Sequence, residues 1–232
     1  MQWMTRGLVV LLLMLAGVMY YTAPSHPIVP LTWRSPDAVA EPVSGLERGN
    51  GPNLALPIGP FTNGRWRLDL VTLVPDVAVA PDGSKTAVQL AERRGDGVRR
   101  IETAVPGATP GAMHTLSLFV KPDQFVAIEF EMRDGSPGKY GFVHFNLRDK
   151  AVTFKGGDAS AAGLQALPDG WFRCWAAMPY SSDTAVFNFT LLDKRSGLAR
   201  LIFGLGGLLI WGVQFEPGDR PRGYAGPETR MN

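Results

Sequence analysis

The sequence has few of the residues from which metal centres, disulfides and most active sites are built. Its 232 residues include one cysteine, Cys174, and three histidines, so no disulfide can form within the chain. The histidines lack zinc-type spacing, and His114 and His144 are expected to be half-buried structural residues of strands. There is no Gly-x-Ser-x-Gly motif and no P-loop. We therefore expect a protein that is not an enzyme and has no metal and no cofactor.

Acidic residues raise two further possibilities. Several Asp-Gly pairs have the chemistry to bind calcium, but the same pairs are ordinary turn residues, so a calcium site is left open. Glu129 and Glu131 are the residue types of a glycosidase pair. Because they stand two residues apart on the outer face of a predicted strand, we expect them to solubilise that face.

Strong charge of either sign is also missing. The formal net charge is +2 and the basic residues form no long run, so nucleic acid is not expected as a partner. The densest charged stretch, ERRGDGVRR from Glu92 to Arg100, predicts a solvated hairpin that turns at Gly95 to Gly97. The 27 glycines and 19 prolines favour short strands and tight turns over long helices.

The longest apolar stretch lies at the N-terminus and predicts a transmembrane anchor over residues 1–22. Trp3 stands at one end and Tyr20 and Tyr21 at the other, where aromatic side chains favour the two membrane interfaces. As a helix, residues 3–21 would rise ~27 Å, close to the ~30 Å hydrocarbon layer of a bilayer. A cleaved signal peptide is the alternative, but the Tyr-Tyr-Thr-Ala-Pro sequence after the run has no small-x-small cleavage site.

Charge and proline content predict what surrounds this anchor. Arg6 is the only charge before the apolar run, which favours a cytoplasmic N-terminus. We expect a single-pass protein of the bacterial inner (cytoplasmic) membrane, with its main domain in the periplasm. Eight prolines between Thr22 and Phe61 predict an extended tether over residues 23–61. Residues 227–232 are expected to be a short C-terminal tail.

Residues 62–226 alternate between apolar and polar side chains, the pattern of strands with one face in a core and one in water. In YGFVHFNL, for example, Val143, Phe145 and Leu147 alternate with His144 and Asn146. The same alternation occurs in RWRLDLV, MHTLSLFVK and FVAIEFEM, and strands are also expected at WFRCWAAM, AVFNFTLL and LLIWGVQF. About eight or more strands between turn signals predict an all-β fold, a two-sheet antiparallel β-sandwich of the jelly-roll type.

Five short motifs follow one another along this domain: APDGSKTAVQL, LSLFVK, FNL, DGWFRC and IWGVQFEPG, with Tyr224 after them. Their order resembles the carbohydrate-binding-module-like jelly-roll domains of phage tail proteins, which end in a Trp-Gly-x-Gln-x-Glu strand. The resemblance spans roughly residues 53–224 and implies glycan binding. In the last motif we expect Trp211 to fill the core and Gly212 to allow a neighbouring backbone to approach closely.

The first candidate site is the WFRCW segment. Alternation directs Phe172 and Cys174 inward and leaves Trp171, Arg173 and Trp175 on the opposite face. Aromatic rings stack on sugars and an arginine between them adds hydrogen bonds, so this triplet is expected to form a platform for a glycan or a partner. Burial of the triplet under a loop or under a partner fits the pattern equally well.

The second candidate site lies just before the last strand, where the domains that the sequence resembles are polar. Here the chain is apolar, and the residues that would contact a partner are Leu201, Ile202, Phe203 and Leu205. If these side chains are exposed, they predict docking on protein or lipid. If they are not, the segment is another core strand.

Two functions remain after these considerations. We expect a non-catalytic, membrane-anchored extracytoplasmic β-sandwich that acts as an accessory subunit and docks on an integral membrane-protein complex. An energy-transducing or photosynthetic assembly is one example of such a complex, and the lipid bilayer would be contacted through residues 3–21. The alternative is a membrane-tethered glycan-binding module whose partner is a polysaccharide.

Overall fold

The computed structural model describes residues 41–42, 45–56, 61, 63–135, 139–192 and 206–226. The chain divides into two units, Met1–Ser35 and Pro36–Asn232, and all of the described residues belong to the second. The predicted anchor, with its markers Trp3, Arg6, Tyr20 and Tyr21, lies outside the described residues. Within the described part, none of the helices has the length and apolar character needed to cross a membrane.

The described residues form thirteen strands and one short 3-10 turn, Pro168–Gly170. The strands are β1 (Glu41–Pro42), β2 (Arg67–Asp69), β3 (Val71–Ala78), β4 (Ala87–Glu92), β5 (Arg100–Pro106), β6 (Met113–Pro122), β7 (Ala127–Asp134), β8 (Tyr140–Asn146), β9 (Ala151–Gly157), β10 (Ala161–Ala166), β11 (Phe172–Pro179), β12 (Thr184–Leu191) and β13 (Gly207–Pro217). The fold is therefore all-β over the described residues, as predicted.

The strands make two sheets that face each other. The seven-stranded sheet has the order β1-β10-β11-β6-β13-β4-β3, and the six-stranded sheet has the order β2-β5-β12-β7-β8-β9. From β4 to β7 and from β11 to β13, consecutive strands alternate between the sheets, which is the connectivity of a jelly roll. All pairings are antiparallel except that of β1 with β10, which is parallel. The predicted two-sheet sandwich is thus confirmed, with this one parallel pair at an edge.

A core of large aromatic side chains fills the space between the sheets. Phe130 packs edge to face on Phe145 and Phe189, with ring centroids 4.8 Å apart in both pairs. Phe187 of β12 meets Phe215 of β13 at 4.8 Å and so joins the two sheets. All five are fully buried, and burial of one such side chain contributes about 1.5–3 kcal/mol.

A second, smaller core lies on the outer face of the seven-stranded sheet. Phe119, Trp171 and Tyr224 are buried there, because the segments before β2 and after β13 lie over this face. Tyr224 fixes one to the other, since its N–H donates to the Glu47 carbonyl at 2.7 Å and its carbonyl accepts from the Gly49 N–H at 3.0 Å.

This covering overturns part of the sequence prediction for β6. Thr115 and Ser117 were expected to face water, but both are fully buried. The alternation of the strand is correct, since Leu116 and Leu118 lie in the main core. The assumption that the other face of the sheet is exposed was wrong. Whether that face is covered depends on contacts between segments far apart in sequence.

Two further predictions were wrong in detail. Leu68 was expected on the core face of the RWRLDLV strand, but it is 43% exposed, and its strand, β2, lies at the edge of the six-stranded sheet. Trp211 does not fill the core between the sheets, because a bulge between Trp211 and Gln214 shifts the register of β13. Its ring packs instead in the outer core, where it adjoins the ring of Tyr224 at 4.7 Å.

Candidate functional site

The WFRCW segment lies in β11 and the residue before it, on the face that the outer core covers. Trp171, Arg173 and Trp175 do alternate away from the main core, but only 2%, 5% and 8% of their surfaces are exposed. The Trp171 indole N–H donates to the Val79 carbonyl at 3.3 Å, and the Arg220 guanidinium lies 6.0 Å from the centre of the Trp175 ring. An open platform at this triplet is therefore not found, and the alternative of burial under a loop describes these residues.

Arg173 is a buried cation with partners on several sides. Its Nε and one terminal nitrogen donate to the Ser117 hydroxyl at 3.3 and 3.1 Å, and the other terminal nitrogen donates to the Arg222 carbonyl at 2.5 Å. The guanidinium also lies 3.9 Å from a carboxylate oxygen of Glu216 and over the Phe119 ring. Burial lowers the pKa of Arg173 to about 10, and the Glu216 carboxylate opposes this shift. These contacts give Arg173 a structural role.

The Gln-x-Glu part of the last motif holds the C-terminal segment in place. The Gln214 side chain accepts from the Ala225 N–H at 2.8 Å and donates to Glu216 at 2.6 Å. Glu216 in turn accepts from the Arg222 N–H at 3.0 Å. Residues 222–225 are thereby fastened over Arg173, so the most recognisable stretch of the sequence stabilises the fold and presents no open site.

The second candidate site is the apolar segment that precedes β13. Its four residues, Leu201, Ile202, Phe203 and Leu205, lie outside the described residues. Docking through this segment therefore stays a prediction.

Among the described residues, no segment of the chain is seen to cover the outer face of the six-stranded sheet in the way that residues 45–49 and 220–225 cover the other sheet. At the β8–β9 edge of the six-stranded sheet stand four rings, which we call the aromatic row: Tyr140, Phe142, His144 and Phe154. Tyr140 and Phe142 are nearly parallel, with centroids 5.9 Å apart and planes at 9°. Phe154 is 5.2 Å from Phe142 and 5.3 Å from His144. These are distances of offset pairs, so each ring leaves part of its surface uncovered.

Strand alternation and register place these rings together. Tyr140, Phe142 and His144 occupy every second position of β8, so they share one face of the sheet. Phe154 of β9 pairs with His144, and Gly156 pairs with Phe142. A Cβ on Gly156 would lie 2.6 Å from the Phe142 ring and 2.9 Å from the Phe154 ring. The glycine thus provides the space in which the two rings meet.

A second row of side chains, which we call the polar row, runs beside the first on β7. It consists of Glu129, Glu131 and Arg133, which pair with His144, Phe142 and Tyr140. His144 Nε2 donates to Glu129 at 2.7 Å, and Arg133 Nε lies 3.2 Å from Glu131. The two carboxylates are about three-quarters buried and point outward, as predicted from their spacing.

Aromatic faces beside hydrogen-bonding groups suit a ligand that is apolar on one side and rich in hydroxyls on another. Within the part of the chain that the structure describes, no three His, Cys, Asp or Glu side chains come together as a metal site. His114, the other histidine of the domain, is buried away from this face, where it stacks on Phe215 at 5.1 Å and burial lowers its pKa.

The aromatic row was missed as a site although the sequence contains a signal for it. The outward positions of an alternating strand are usually polar, but in YGFVHFN the first three are Tyr140, Phe142 and His144, and only the fourth, Asn146, has no ring. Aromatic residues at three successive outward positions are typical of a surface that something else covers. Phe154 carried no comparable signal, because β9 itself was not predicted.

Comparisons with known proteins do not identify the chain. No protein-family model matches it, and neither does any curated protein. Among solved structures it is similar to the enzymatically active domain of tailspike protein 4 of bacteriophage CBA120, with 17% identity and a TM-score of 0.40 over 75% of this chain. The chain spans 21% of that protein. It is also similar to TmCBM61 in complex with β-1,4-galactotriose, with 11% identity and a TM-score of 0.40, over 75% of this chain and 99% of that one.

Proposed function

We propose that this domain is a non-catalytic glycan-binding module and that the outer face of the six-stranded sheet binds the glycan. The observation that carries the proposal is the aromatic row. Tyr140 is 46% exposed, and Phe142, His144 and Phe154 are each partly exposed beside it. Rings of this kind on the water side of a sheet lower the solubility of the domain unless a ligand uses them.

The polar row supports the same proposal. Sugar rings have apolar C–H faces and a rim of hydroxyls, so they need aromatic faces and hydrogen-bond acceptors within one ring width of each other. Neighbouring strands are about 4.8 Å apart, and this is the separation between the aromatic row on β8 and the carboxylates Glu129 and Glu131 on β7. The N-terminal anchor predicted at residues 3–21 would hold such a module close to a membrane.

Binding by the aromatic row is tested by removing its most exposed ring. The full chain is run through native gels that contain soluble glucan, galactan, mannan or xylan, and retardation gives the affinity. We expect Tyr140→Ala to weaken retention about three- to tenfold, since one aromatic contact is worth about 0.5–1.5 kcal/mol. Val79→Ala is the control, because Val79 is 59% exposed, more than Tyr140, but follows β3 of the other sheet.

A second variant moves rings without removing any. Gly156→Ala places a methyl group where the Phe142 and Phe154 rings now meet, so retention should fall although every aromatic side chain is present. Thermal unfolding of each variant shows that the domain is still folded. Wild-type retention in both Tyr140→Ala and Gly156→Ala would remove the aromatic row from the proposal.

The alternative function, that of an accessory subunit, is tested by a different experiment. If the chain docks on a membrane-protein complex, stoichiometric integral membrane proteins should remain attached to it through a sizing column in mild detergent. Leu201→Asp or Phe203→Asp should then release it. A chain that elutes alone and is retarded by a polysaccharide agrees with glycan binding.

A further inference from the structure

We infer that the ligand of this face is an uncharged linear polysaccharide that lies parallel to β8, and that Glu129 and Glu131 exclude anionic glycans. This inference rests on the proposed function and adds the chemical class and direction of the ligand. It is carried by the geometry of the two rows and by the charges around them.

The direction follows from the arrangement of the rings. Tyr140, Phe142 and His144 are successive outward residues of one strand, so the aromatic row extends about 13 Å along β8. The polar row runs parallel to it at the distance of one strand. A linear chain aligned with β8 contacts all three rings of that strand with one side and the polar row with its edge. If the polysaccharide ran across the strands, only one of its sugars would contact the rings of β8.

Carboxylates outnumber arginines on the strands β2, β5 and β7 beside the aromatic row. Outward-facing positions of β2, β5 and β7 carry three arginines and four carboxylates: Arg67, Arg100, Arg133, Asp69, Glu102, Glu129 and Glu131. Of these, the pair nearest to Phe142 and His144 across the register is Glu131 and Glu129.

The three arginines of β2, β5 and β7 on this face are already paired. Arg133 bonds to Glu102 and adjoins Glu131, and Arg100 bonds to Asp69 at 3.0 Å. Arg67 lies 3.5 Å from a carboxylate oxygen of Asp69 and 3.8 Å from one of Glu102. A sulfate or carboxylate on a sugar would have to compete with these carboxylates for its counter-charge, at a cost in free energy.

The ammonium of Lys155 is held away from the aromatic row. Lys155 of β9 pairs with the inward residue Val143, and its ammonium donates to the Ser160 carbonyl at 2.9 Å. Lys139 is exposed and lies just before the first residue of β8.

The carboxylates also have the capacity that a neutral sugar needs. One oxygen of Glu129 accepts from His144 and one oxygen of Glu131 adjoins Arg133. The second oxygen of each has no partner among the described side chains and is left to accept from sugar hydroxyls. The same two oxygens repel an anion, so one pair of residues both binds and discriminates.

The inference is tested with matched polymers that differ only in charge. Glucan, galactan and mannan are each compared with a form in which the primary hydroxyls have been oxidised to carboxylates. Using native gels with the full chain at low salt, we expect the best neutral polymer to bind about tenfold or more tightly than its oxidised form. The double variant Glu129→Gln with Glu131→Gln should reduce this preference to about threefold or less. Asp96→Asn, in the exposed β4–β5 connection, should leave it unchanged.

The outcomes separate the two proposals. If wild-type protein binds an oxidised polymer as well as or better than the neutral one, the inference is overturned and glycan binding stands. The inference also fails if the double variant keeps the full preference while its thermal unfolding matches that of wild type. If none of the neutral or oxidised polymers retards the wild-type chain, the proposed function fails and takes the inference with it.

Discussion

At the residue scale, the terminal-strand motif is explained by what surrounds its glycine. Gly212 has a φ of +62° at the bulge of β13, a conformation that costs a side chain free energy. A Cβ there would also lie 3.0 Å from the Phe119 ring and 3.1 Å from the Tyr224 ring. The sequence correctly indicated close approach at Gly212, but two rings approach it and not a neighbouring backbone.

Gly212→Ala should therefore destabilise the domain through both backbone strain and ring contacts. We expect the free energy of unfolding, measured in urea, to fall by about 2–4 kcal/mol. Gly83→Ala is the control, since Gly83 also has a positive φ, of 85°, but a Cβ there meets nothing within 4 Å. It should cost only the strain, about 1–2 kcal/mol. Equal losses in the two variants would show that the ring contacts contribute nothing.

At the element scale, β13 acts as the support for a segment with no regular structure of its own. The side chain of Gln214 is fully buried and bonds to the Ala225 N–H and to Glu216. Because Glu216 and Arg173 lie beside Gln214, the strand, the C-terminal segment and β11 together form one buried polar cluster. Buried polar groups are costly when a partner is removed.

Gln214→Ala should loosen the C-terminal segment and destabilise the domain. The Ala225 N–H loses its acceptor, so we expect a loss of about 1–3 kcal/mol in the free energy of unfolding. Limited proteolysis should also cleave near residues 222–225 earlier than in wild type. Gln89→Ala provides the comparison, because Gln89 bonds only to the exposed Asp123 side chain and should cost less than about 0.5 kcal/mol. Unchanged proteolysis of Gln214→Ala would contradict the fastening role of this element.

At the scale of the whole molecule, the sequence predicted what depends on local pattern and missed what depends on distant contacts. Alternation in FVAIEFEM and YGFVHFNL gave β7 and β8 the correct inward residues, such as Phe130 and Phe145. The burial of Trp171, Arg173 and Trp175 could not be predicted, because residues 45–49 and 220–225 that cover them come from opposite ends of the domain. Strand pattern cannot tell whether the outer side of a sheet faces water or another segment.

Global unfolding also exposes weak acids that the two cores bury. Burial raises the pKa of the Cys174 thiol and of the Tyr180 hydroxyl, and it raises the pKa of Tyr224 to about 12. Above the ordinary pKa of each group the unfolded chain loses the proton first, so the folded state binds more protons and its stability falls as pH rises. Arg173 acts in the opposite direction above about pH 10, because its lowered pKa makes the folded state release a proton before the unfolded chain does.

The thiol should therefore determine where alkaline destabilisation begins. An ordinary cysteine pKa of 9.0 lies a full unit below that of tyrosine, 10.0, so wild-type stability should begin to fall near pH 9. In Cys174→Ala the fall should begin nearer pH 10. Between pH 9 and pH 10 the variant should therefore lose about 1 kcal/mol less of its free energy of unfolding than wild type does. Urea unfolding at intervals from pH 7 to 10.5 measures both slopes, and the constant loss from the smaller side chain cancels in the comparison. Parallel curves for the two proteins would mean that the thiol ionises as readily in the folded state as in the unfolded chain.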